Sequence, residues 1–314
     1  MLRVHFTAED LARVRVSAGP DPMWEILLSL HVLRQRDGAP VFGRWRKDVR
    51  GKLSEEARWL MQLAPPVGYS PDFLTPTAGC DVDDGIHAVM STPVHQLQLD
   101  LRQLGSERRL DARTHQLASG DAAALDSLGA ALRHYYESAL APVWDEVRGV
   151  CDADRAVRAR QFLDGGCEQL LSSLHSTITW QAPVLHVGYR FPERDVHLGG
   201  QGLVLVPSYF CWGRPIMLRD AERPPVLVYP IERDLVVGAG ARSLEALLGR
   251  TRAAALEVIA GGCTTTELAR RLNISPASAS AHATVLREAG LAVTQRHRNT
   301  VLHTASRLGF ELLA

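Results

Sequence analysis

Lysine is nearly missing from this sequence of 314 residues. Lys47 and Lys52 are its only lysines, and arginine supplies the rest of the 35 basic side chains. Aromatic residues make up just 6% of the chain, and 35 basic side chains balance 35 acidic ones. With 46% apolar and 22% charged residues, the composition is typical of a soluble globular protein with one large domain or two ordinary ones. It excludes a disordered tail, a collagen-like chain and a small disulfide-stapled protein.

Paired cysteines and long apolar segments are also lacking. The five cysteines are odd in number, far apart and outside any CxxC pair, which favours reduced thiols. No apolar run reaches the roughly 18 residues that cross a bilayer, and residues 1–10 do not resemble a secretory signal. We therefore expect a cytoplasmic protein that does not bind membranes.

The common motifs of enzyme chemistry are missing as well. The sequence contains no GxSxG motif, Walker loop or dinucleotide fingerprint, and its histidines do not stand in HxH or HExxH spacing. Asp81, Asp83 and Asp84 form an acidic loop without the closing glutamate of a calcium site. The sequence thus predicts no catalytic residue, no metal site and no cofactor.

Residues 1–176 have patterns that are typical of helices. Asp21 offers a capping side chain, and Pro22 suits the first helical position, which together predict a helix as far as about Arg36. The pattern further predicts a helix over residues 42–63 and a long loop over 64–92. It then predicts a helix over 94–105 and a run of helices over 121–175.

Short apolar or β-branched runs, separated by glycine and proline, predict strands within residues 177–237. Their connections are too short for crossover helices, so we expect a small antiparallel sheet. The expected class is therefore α+β and mainly helical, with an amino-terminal domain over residues 1–238. The predicted strands are Ile178–Trp180, Val184–Tyr189, Gly202–Pro207, Pro215–Leu218 and Val226–Tyr229.

The zero net charge conceals an uneven distribution along the chain. Residues 240–314 contain nine arginines and five acidic residues, a net charge of +4. The rest has 26 basic and 30 acidic residues, a net charge of −4. A basic segment beside an acidic body indicates a nucleic-acid-binding module.

The same segment predicts a carboxy-terminal domain, residues 239–314, built as a helix-turn-helix with a β-wing. Thr264 and Glu267 have the spacing of a capping box that opens a helix ending near Leu272. Ser275 and Pro276 then cap and start a second helix that runs to Glu288. Two β-type runs follow and predict a hairpin, Leu291–Gln295 with Thr300–Thr304.

The stretch TTTELARRLNISPASASAHATVLREAGLAVTQ resembles the winged helix of the ArsR/SmtB-type bacterial transcriptional regulators. The whole chain is similar to long actinobacterial regulators that have a large amino-terminal domain of uncharacterised function. The resemblance implies a homodimer that binds a palindromic operator in double-stranded DNA, with residues 275–288 as the recognition helix, and it favours a repressor. The cysteine pair of the family's metal sensors is absent.

The residues that we predict to contact DNA are Ser275, Pro276, Ser278, Ser280, His282, Thr284, Arg287, Arg296, His297 and Arg298. For some of these, alternatives remain open. Ser278 is otherwise a solvated serine, Ser280 a small residue where helices cross, and His282 a residue on the dimer side. In the wing, Asn299 is the best candidate for a left-handed turn position.

The amino-terminal domain is expected to dimerise, to sense a small molecule or partner, or both. Its aromatic cluster Tyr209, Phe210 and Trp212 either lines a ligand site or belongs to the core or a dimer face. Two further hypotheses stay open for the whole protein. One is an enzyme-like amino-terminal domain fused to a DNA-binding module, and the other is an architectural DNA-binding protein.

Overall fold

A computed structural model describes the chain over residues 1–76, 81–188, 193–218, 225–232, 239–297 and 300–313. Helices and small sheets make it a mixed α+β protein. It divides into an amino-terminal unit, residues 1–233, and a carboxy-terminal unit, residues 234–314. The domain boundary predicted between residues 238 and 239 adjoins residues 233–238, which lie outside the described part.

The described α-helices of the amino-terminal unit are α1 (Ala8–Ala12), α2 (Pro22–Arg34), α3 (Ala39–Arg50), α4 (Glu55–Leu63), α5 (Val82–Met90), α6 (Val94–Glu107), α7 (Ala112–Ala118), α8 (Ala122–Tyr135) and α9 (Trp144–Ser172). Short 3-10 helices at Asp72–Leu74 and Ala141–Val143 and a π-helical turn at Tyr136–Leu140 accompany them. The predicted start of α2 is confirmed, since the Asp21 carboxylate accepts from the backbone N–H of Met23 at 2.9 Å. This helix is buried over almost its whole length, because its apolar residues cover every side.

Two predictions in this region are wrong in detail. The single helix expected over residues 42–63 is two helices, because a second one starts at the Ser54 cap. The loop expected over 64–92 contains α5, and the Asp81 carboxylate caps it by accepting from the Asp83 N–H at 2.8 Å. The acidic loop is therefore the first turn of a helix. At Gly165 and Gly166 the backbone leaves helical φ/ψ, so the range of α9 consists of two helical parts that meet at a break.

The described strands of this unit are β1 (Leu2–His5), β2 (Arg15–Val16), β3 (Ile178–Gln181), β4 (Val184–Val187), β5 (Arg194–His197), β6 (Val204–Ser208), β7 (Ile216–Met217) and β8 (Val226–Pro230). They form two four-stranded sheets, ordered β3-β4-β1-β5 and β2-β6-β8-β7. Of the predicted strand Val184–Tyr189, the last residue lies outside the described part.

The prediction of one antiparallel sheet is wrong, and residues 1–176, expected to contribute helices, also contain the strands β1 and β2. Both sheets are mixed, because β1 pairs parallel with β5, β2 with β6, and β6 with β8. Short connections exclude a crossover helix only between strands that are consecutive along the chain. β1 and β2 reach their partners through the whole helical region, and β7 intervenes between β6 and β8.

Two groups of buried side chains form the core of the amino-terminal unit. The larger group joins the helices, with Phe42, Leu97 and Tyr135 fully enclosed. The smaller lies on the strands and includes Leu2 and Tyr229. Among the described residues no helix is long and apolar enough to span a membrane. The described cysteines are free thiols, and Cys80 lies outside the described part.

The carboxy-terminal unit contains α10 (Ala239–Leu248), α11 (Arg250–Ala260), β9 (Cys263–Thr264), α12 (Thr265–Leu272), α13 (Pro276–Glu288), β10 (Ala292–His297), β11 (Thr300–Ala305) and α14 (Arg307–Leu313). Its three described strands form an antiparallel sheet in the order β10-β11-β9. The predicted capping box is confirmed, since Thr264 and Glu267 satisfy each other's backbone N–H groups at 3.2 and 2.9 Å. Alanines such as Ala253, Ala279 and Ala283 let its helices pack closely.

Candidate functional site

The turn between α12 and α13 determines the direction of α13 relative to α12. α12 ends at Asn273, whose φ of 53° places it in the left-handed region that asparagine tolerates better than most residues. Ser275 then caps α13, because its Oγ accepts from the Ser278 N–H at 3.1 Å. The two serine hydroxyls also lie 2.9 Å apart. Two of the predicted DNA contacts are thus hydrogen-bonded to each other at the start of the helix.

One side of α13 faces the core of its unit, and the other is open. Ala279, Ala283 and Leu286 are buried at helical spacing. The predicted contacts Pro276, Ser278, Ser280 and Arg287 are exposed, whereas His282 and Thr284 are half-buried. The other exposed residues of α13 are Ala277, Ala281, Val285 and Glu288. The small side chains over residues 277–281 would allow the backbone of this part of α13 to approach a partner closely.

The hairpin β10–β11 follows α13 in the predicted position. Its register pairs Ala292 with Ala305 and His297 with Thr300. The predicted wing residues Arg296 and His297 belong to β10. Arg298 and the predicted left-handed residue Asn299 lie outside the described part.

His303 fastens the hairpin to the start of α12, a role that the sequence did not reveal. Its ring is 5% exposed, and its Nε2 and Nδ1 lie 2.9 Å from Thr265 Oγ1 and 3.0 Å from Thr294 Oγ1. Burial, and secondarily Arg287, lowers the pKa of His303, which therefore favours the neutral ring. These hydrogen bonds connect the first residue of α12 to both strands of the hairpin.

The exposed arginines of this unit are Arg250, Arg252, Arg270, Arg271 and Arg287. Within the part of the chain that the structure describes, none of them lies within 4 Å of a carboxylate oxygen. The nearest acid to α12, Glu267, is engaged in the capping box, and hydrogen bonds from Thr264 lower its pKa. The surface of α12 and α13 therefore presents three arginines, Arg270, Arg271 and Arg287, that form no close ion pair with a described carboxylate.

The amino-terminal unit contains a cavity of about 700 Å³. One wall is α2, and the opposite ones are the segment 65–75 and the end of α6. The segment 210–217, between β6 and β7, closes another side together with Glu193 and Arg194. A volume of this size is typical of small-molecule sites.

The buried carboxylate of Glu25 positions one wall of this cavity. It accepts from the backbone N–H groups of Tyr209 and Phe210 at 2.7 and 2.9 Å, and from the Ser208 hydroxyl at 3.0 Å. Three donors compensate for removing the carboxylate from water. Glu25 thereby holds the end of β6 against α2.

Of the three aromatic residues predicted to bind a ligand, Phe210 and Trp212 line the cavity and Tyr209 does not. The Tyr209 hydroxyl donates to Glu146 Oε1 at 2.6 Å, and its ring lies edge-on to Phe42 in the core. Trp212 packs over Gly38, whose φ is 67° and whose Cβ, if present, would lie 2.9 Å from the indole ring. A glycine is therefore required there.

His31 is the most enclosed basic group of the cavity, and the sequence did not single it out as functional. Its Nε2 lies 3.2 Å from Ser70 Oγ. Burial, with a smaller contribution from Arg34, lowers the pKa of His31 to about 4. The ring is therefore neutral at pH 7.

A separate polar cluster lies on the exposed face of the β1–β5 pair. Asp195 accepts from Arg3 Nε and Nη2 at 2.9 and 2.8 Å and lies 2.7 Å from His5 Nε2. The His5 ring stacks on His197 with 4.3 Å between centroids. Among the described residues no group of three or more His, Cys, Asp or Glu side chains is arranged to hold a metal ion.

No family model, curated protein or solved structure matches this chain.

Proposed function

We propose that the protein is a DNA-binding transcriptional regulator of the ArsR/SmtB type, a cytoplasmic homodimer that acts as a repressor. In this proposal the carboxy-terminal unit is a winged helix-turn-helix that binds operator DNA, and the amino-terminal unit senses a small molecule. The sequence resemblance supplies the type of regulator, and the contacts described above supply the reasons that follow.

The observation that carries the proposal is the order and geometry of α12, α13 and the hairpin β10–β11. The turn of three residues, 273–275, joins two closely packed helices, as in helix-turn-helix proteins. The second helix keeps one whole side open, so that it is free to enter a major groove. A hairpin fastened through His303 would follow it as the wing.

Charge on the same unit agrees with this assignment. Arg270, Arg271 and Arg287 are exposed on α12 and α13 and form no ion pair with a described carboxylate. Guanidinium groups that are not held in a close ion pair suit phosphates, whose neutralisation supplies most of the non-specific affinity for DNA. Because the open side of α13 carries mainly alanine, serine and threonine, phosphate contacts and DNA shape would dominate over direct base readout.

A homodimer follows from how such modules read DNA. Two recognition helices bind half-sites that lie about one helical turn, roughly 34–36 Å, apart on a palindromic operator. A ligand in the amino-terminal unit would regulate binding by favouring a state in which that separation is wrong. Its cavity, which Phe210 and Trp212 line, is the candidate effector site.

The test is an electrophoretic shift of the full-length protein with DNA fragments from around its own gene. We expect Arg296→Ala with Arg298→Ala to weaken binding and to reduce the salt slope by about 1.8, since each phosphate contact contributes about 0.9. Arg250→Ala with Arg252→Ala is the matched control, because α11 packs against the buried side of α13. Unchanged binding and slope in the first variant would contradict the wing assignment.

One observation favours a second candidate, an enzyme-like amino-terminal unit. His31 Nε2 lies 3.2 Å from Ser70 Oγ in the cavity, which is the contact of a base with a hydroxyl nucleophile. A pKa of about 4, however, makes His31 a weak base at neutral pH. Hydrolysis of p-nitrophenyl acetate separates the two: a rate that falls in Ser70→Ala favours the enzyme, and equal rates favour the sensor.

A further inference from the structure

Contacts within the amino-terminal unit make its cavity a preformed one. Its volume, about 700 Å³, fits a drug-sized organic molecule. Glu25 fixes the wall at residues 208–210 through three hydrogen bonds, and Gly38 lets Trp212 pack against the start of α3. A wall that is already ordered loses little entropy when a ligand binds.

The apolar part of the lining is aromatic. Trp24, Phe210 and Trp212 contribute rings, and Leu27, Leu28 and Met217 fill the space around them. Phe210 is in turn supported by Trp45, with ring centroids 4.6 Å apart. Such a lining favours a ligand with aromatic rings of its own, and indole and phenyl faces also attract cations.

Charge on the described lining residues selects the sign of the ligand. Four carboxylates line the cavity, whereas only two guanidinium groups do, and His31 adds no positive charge because its ring is neutral at pH 7. One carboxylate, Glu193, is paired with Arg3 at 3.4 Å outside the lining. Of the other exposed charges in the lining, two are the carboxylates Asp37 and Glu107 and one is the guanidinium group of Arg214, a balance that favours a cation. The carboxylates are Asp37, Asp72, Glu107 and Glu193, and the guanidinium groups are Arg194 and Arg214.

We propose that this cavity binds an aromatic organic cation, a molecule with ring systems and a protonated amine or quaternary onium group, and that this ligand is the effector. The effector role rests on the function proposed above. The binding site itself does not, because it is argued from the residues of the amino-terminal unit alone.

Two probes of matched shape and opposite charge test the selectivity. Tetraphenylphosphonium and tetraphenylborate are titrated calorimetrically into the full-length protein without DNA. We expect the cation to bind once per chain and at least about tenfold more tightly than the anion, because the carboxylates of the lining attract the cation and repel the anion. Equal affinity, preference for the borate, or no binding of the cation in the millimolar range overturns the proposal.

Variants at the cavity mouth locate the bound cation. Asp37→Asn with Glu107→Gln should weaken phosphonium binding about tenfold and leave borate binding unchanged or stronger. The glutamine keeps an oxygen for the Tyr69 N–H, which Glu107 now accepts at 2.7 Å. Asp126→Asn, an exposed acid on α8, is the matched control. A double variant that binds like this control shows that the cation sits elsewhere, and overturns the proposal.

A gel shift with operator DNA, with and without tetraphenylphosphonium, separates the two proposals. Release of DNA by the cation supports the effector role. If the cation binds as expected but the protein binds no DNA, the regulator proposal fails and the ligand site stands. If DNA binds but the cation does not, the ligand site fails and the regulator stands.

Discussion

The described part of the amino-terminal unit has two buried arginine side chains, Arg46 and Arg158, whereas in the carboxy-terminal unit the described ones lie on the surface. Arg46 is buried and donates to the carbonyl oxygen of Val32 at 2.8 Å, and Arg158 is buried against Asp154 at 2.9 Å. Arg271 and Arg287, by contrast, are exposed and have no described ion pair. The same residue type thus stabilises one unit and remains available to a ligand in the other.

The largest expected effect of this difference is at Arg158, in the amino-terminal unit. Arg158→Ala leaves the 6%-exposed Asp154 without its guanidinium partner, so the unfolding free energy of this unit should fall by about 3–5 kcal/mol. Arg160→Ala, on the exposed side of the same helix, is the control and should cost at most about 1 kcal/mol. Denaturant unfolding followed by circular dichroism measures both. Equal losses would abolish the contrast between buried and surface arginines.

The second effect is on pH dependence and involves His31. Above pH 6.5 the ring is neutral in the folded and the unfolded chain, so it contributes no slope. Between pH 6.5 and about 4 only the unfolded chain binds the proton, and stability should fall by roughly 2–3 kcal/mol as the pH decreases. His31→Gln should remove this part of the slope, whereas the exposed His115→Gln should not. An identical slope in both variants would contradict the burial of His31.

A smaller effect is expected in the carboxy-terminal unit, at the capping box that begins α12. Thr264→Ala removes the hydroxyl that accepts from the Glu267 N–H, and should cost about 1 kcal/mol. The exposed Thr266, two residues along the chain, serves as the matched control for the same substitution. Thermal unfolding of the two variants gives the comparison. Equal melting temperatures would mean that the capping box adds nothing.

The smallest effect on stability is expected for the arginines of the carboxy-terminal unit. Arg271→Ala and Arg287→Ala should each change the unfolding free energy by no more than about 0.5 kcal/mol, because both side chains are exposed and neither forms an ion pair with a described residue. In the proposed function, each should nevertheless reduce the salt slope of DNA binding by about 0.9. A stability loss well above this limit would make these arginines structural, like Arg158, and would remove the difference between the units.

A structural feature could be predicted from the sequence when the residues that determine it are close together along the chain. The caps at Asp21, Thr264 and Ser275 were predicted correctly, because a cap involves residues two or three positions apart. The parallel strand pairs were not, although the alternation of Leu2 and Val4 with polar residues was a signal for β1. Alternation identifies a strand but does not identify its partner.

The cavity was predicted only in part for the same reason. Phe210 and Trp212 were conspicuous as neighbouring aromatic residues, and both line it. Glu25 looked like one polar residue within an apolar helix, and its role became evident only when Ser208, 183 positions later, was placed against it. His31 acquires its lowered pKa from an enclosure that distant segments build.

The position of β1 in the middle of its sheet has a consequence for the order of folding during synthesis. Arg3 meets Asp195 across 192 positions, and β1 separates β4 from β5. On a ribosome that adds about 5–20 residues each second, this strand would wait roughly ten seconds or longer for both neighbours. Until then its unpaired edges would be open to other chains, so the helical region between is the part able to form first.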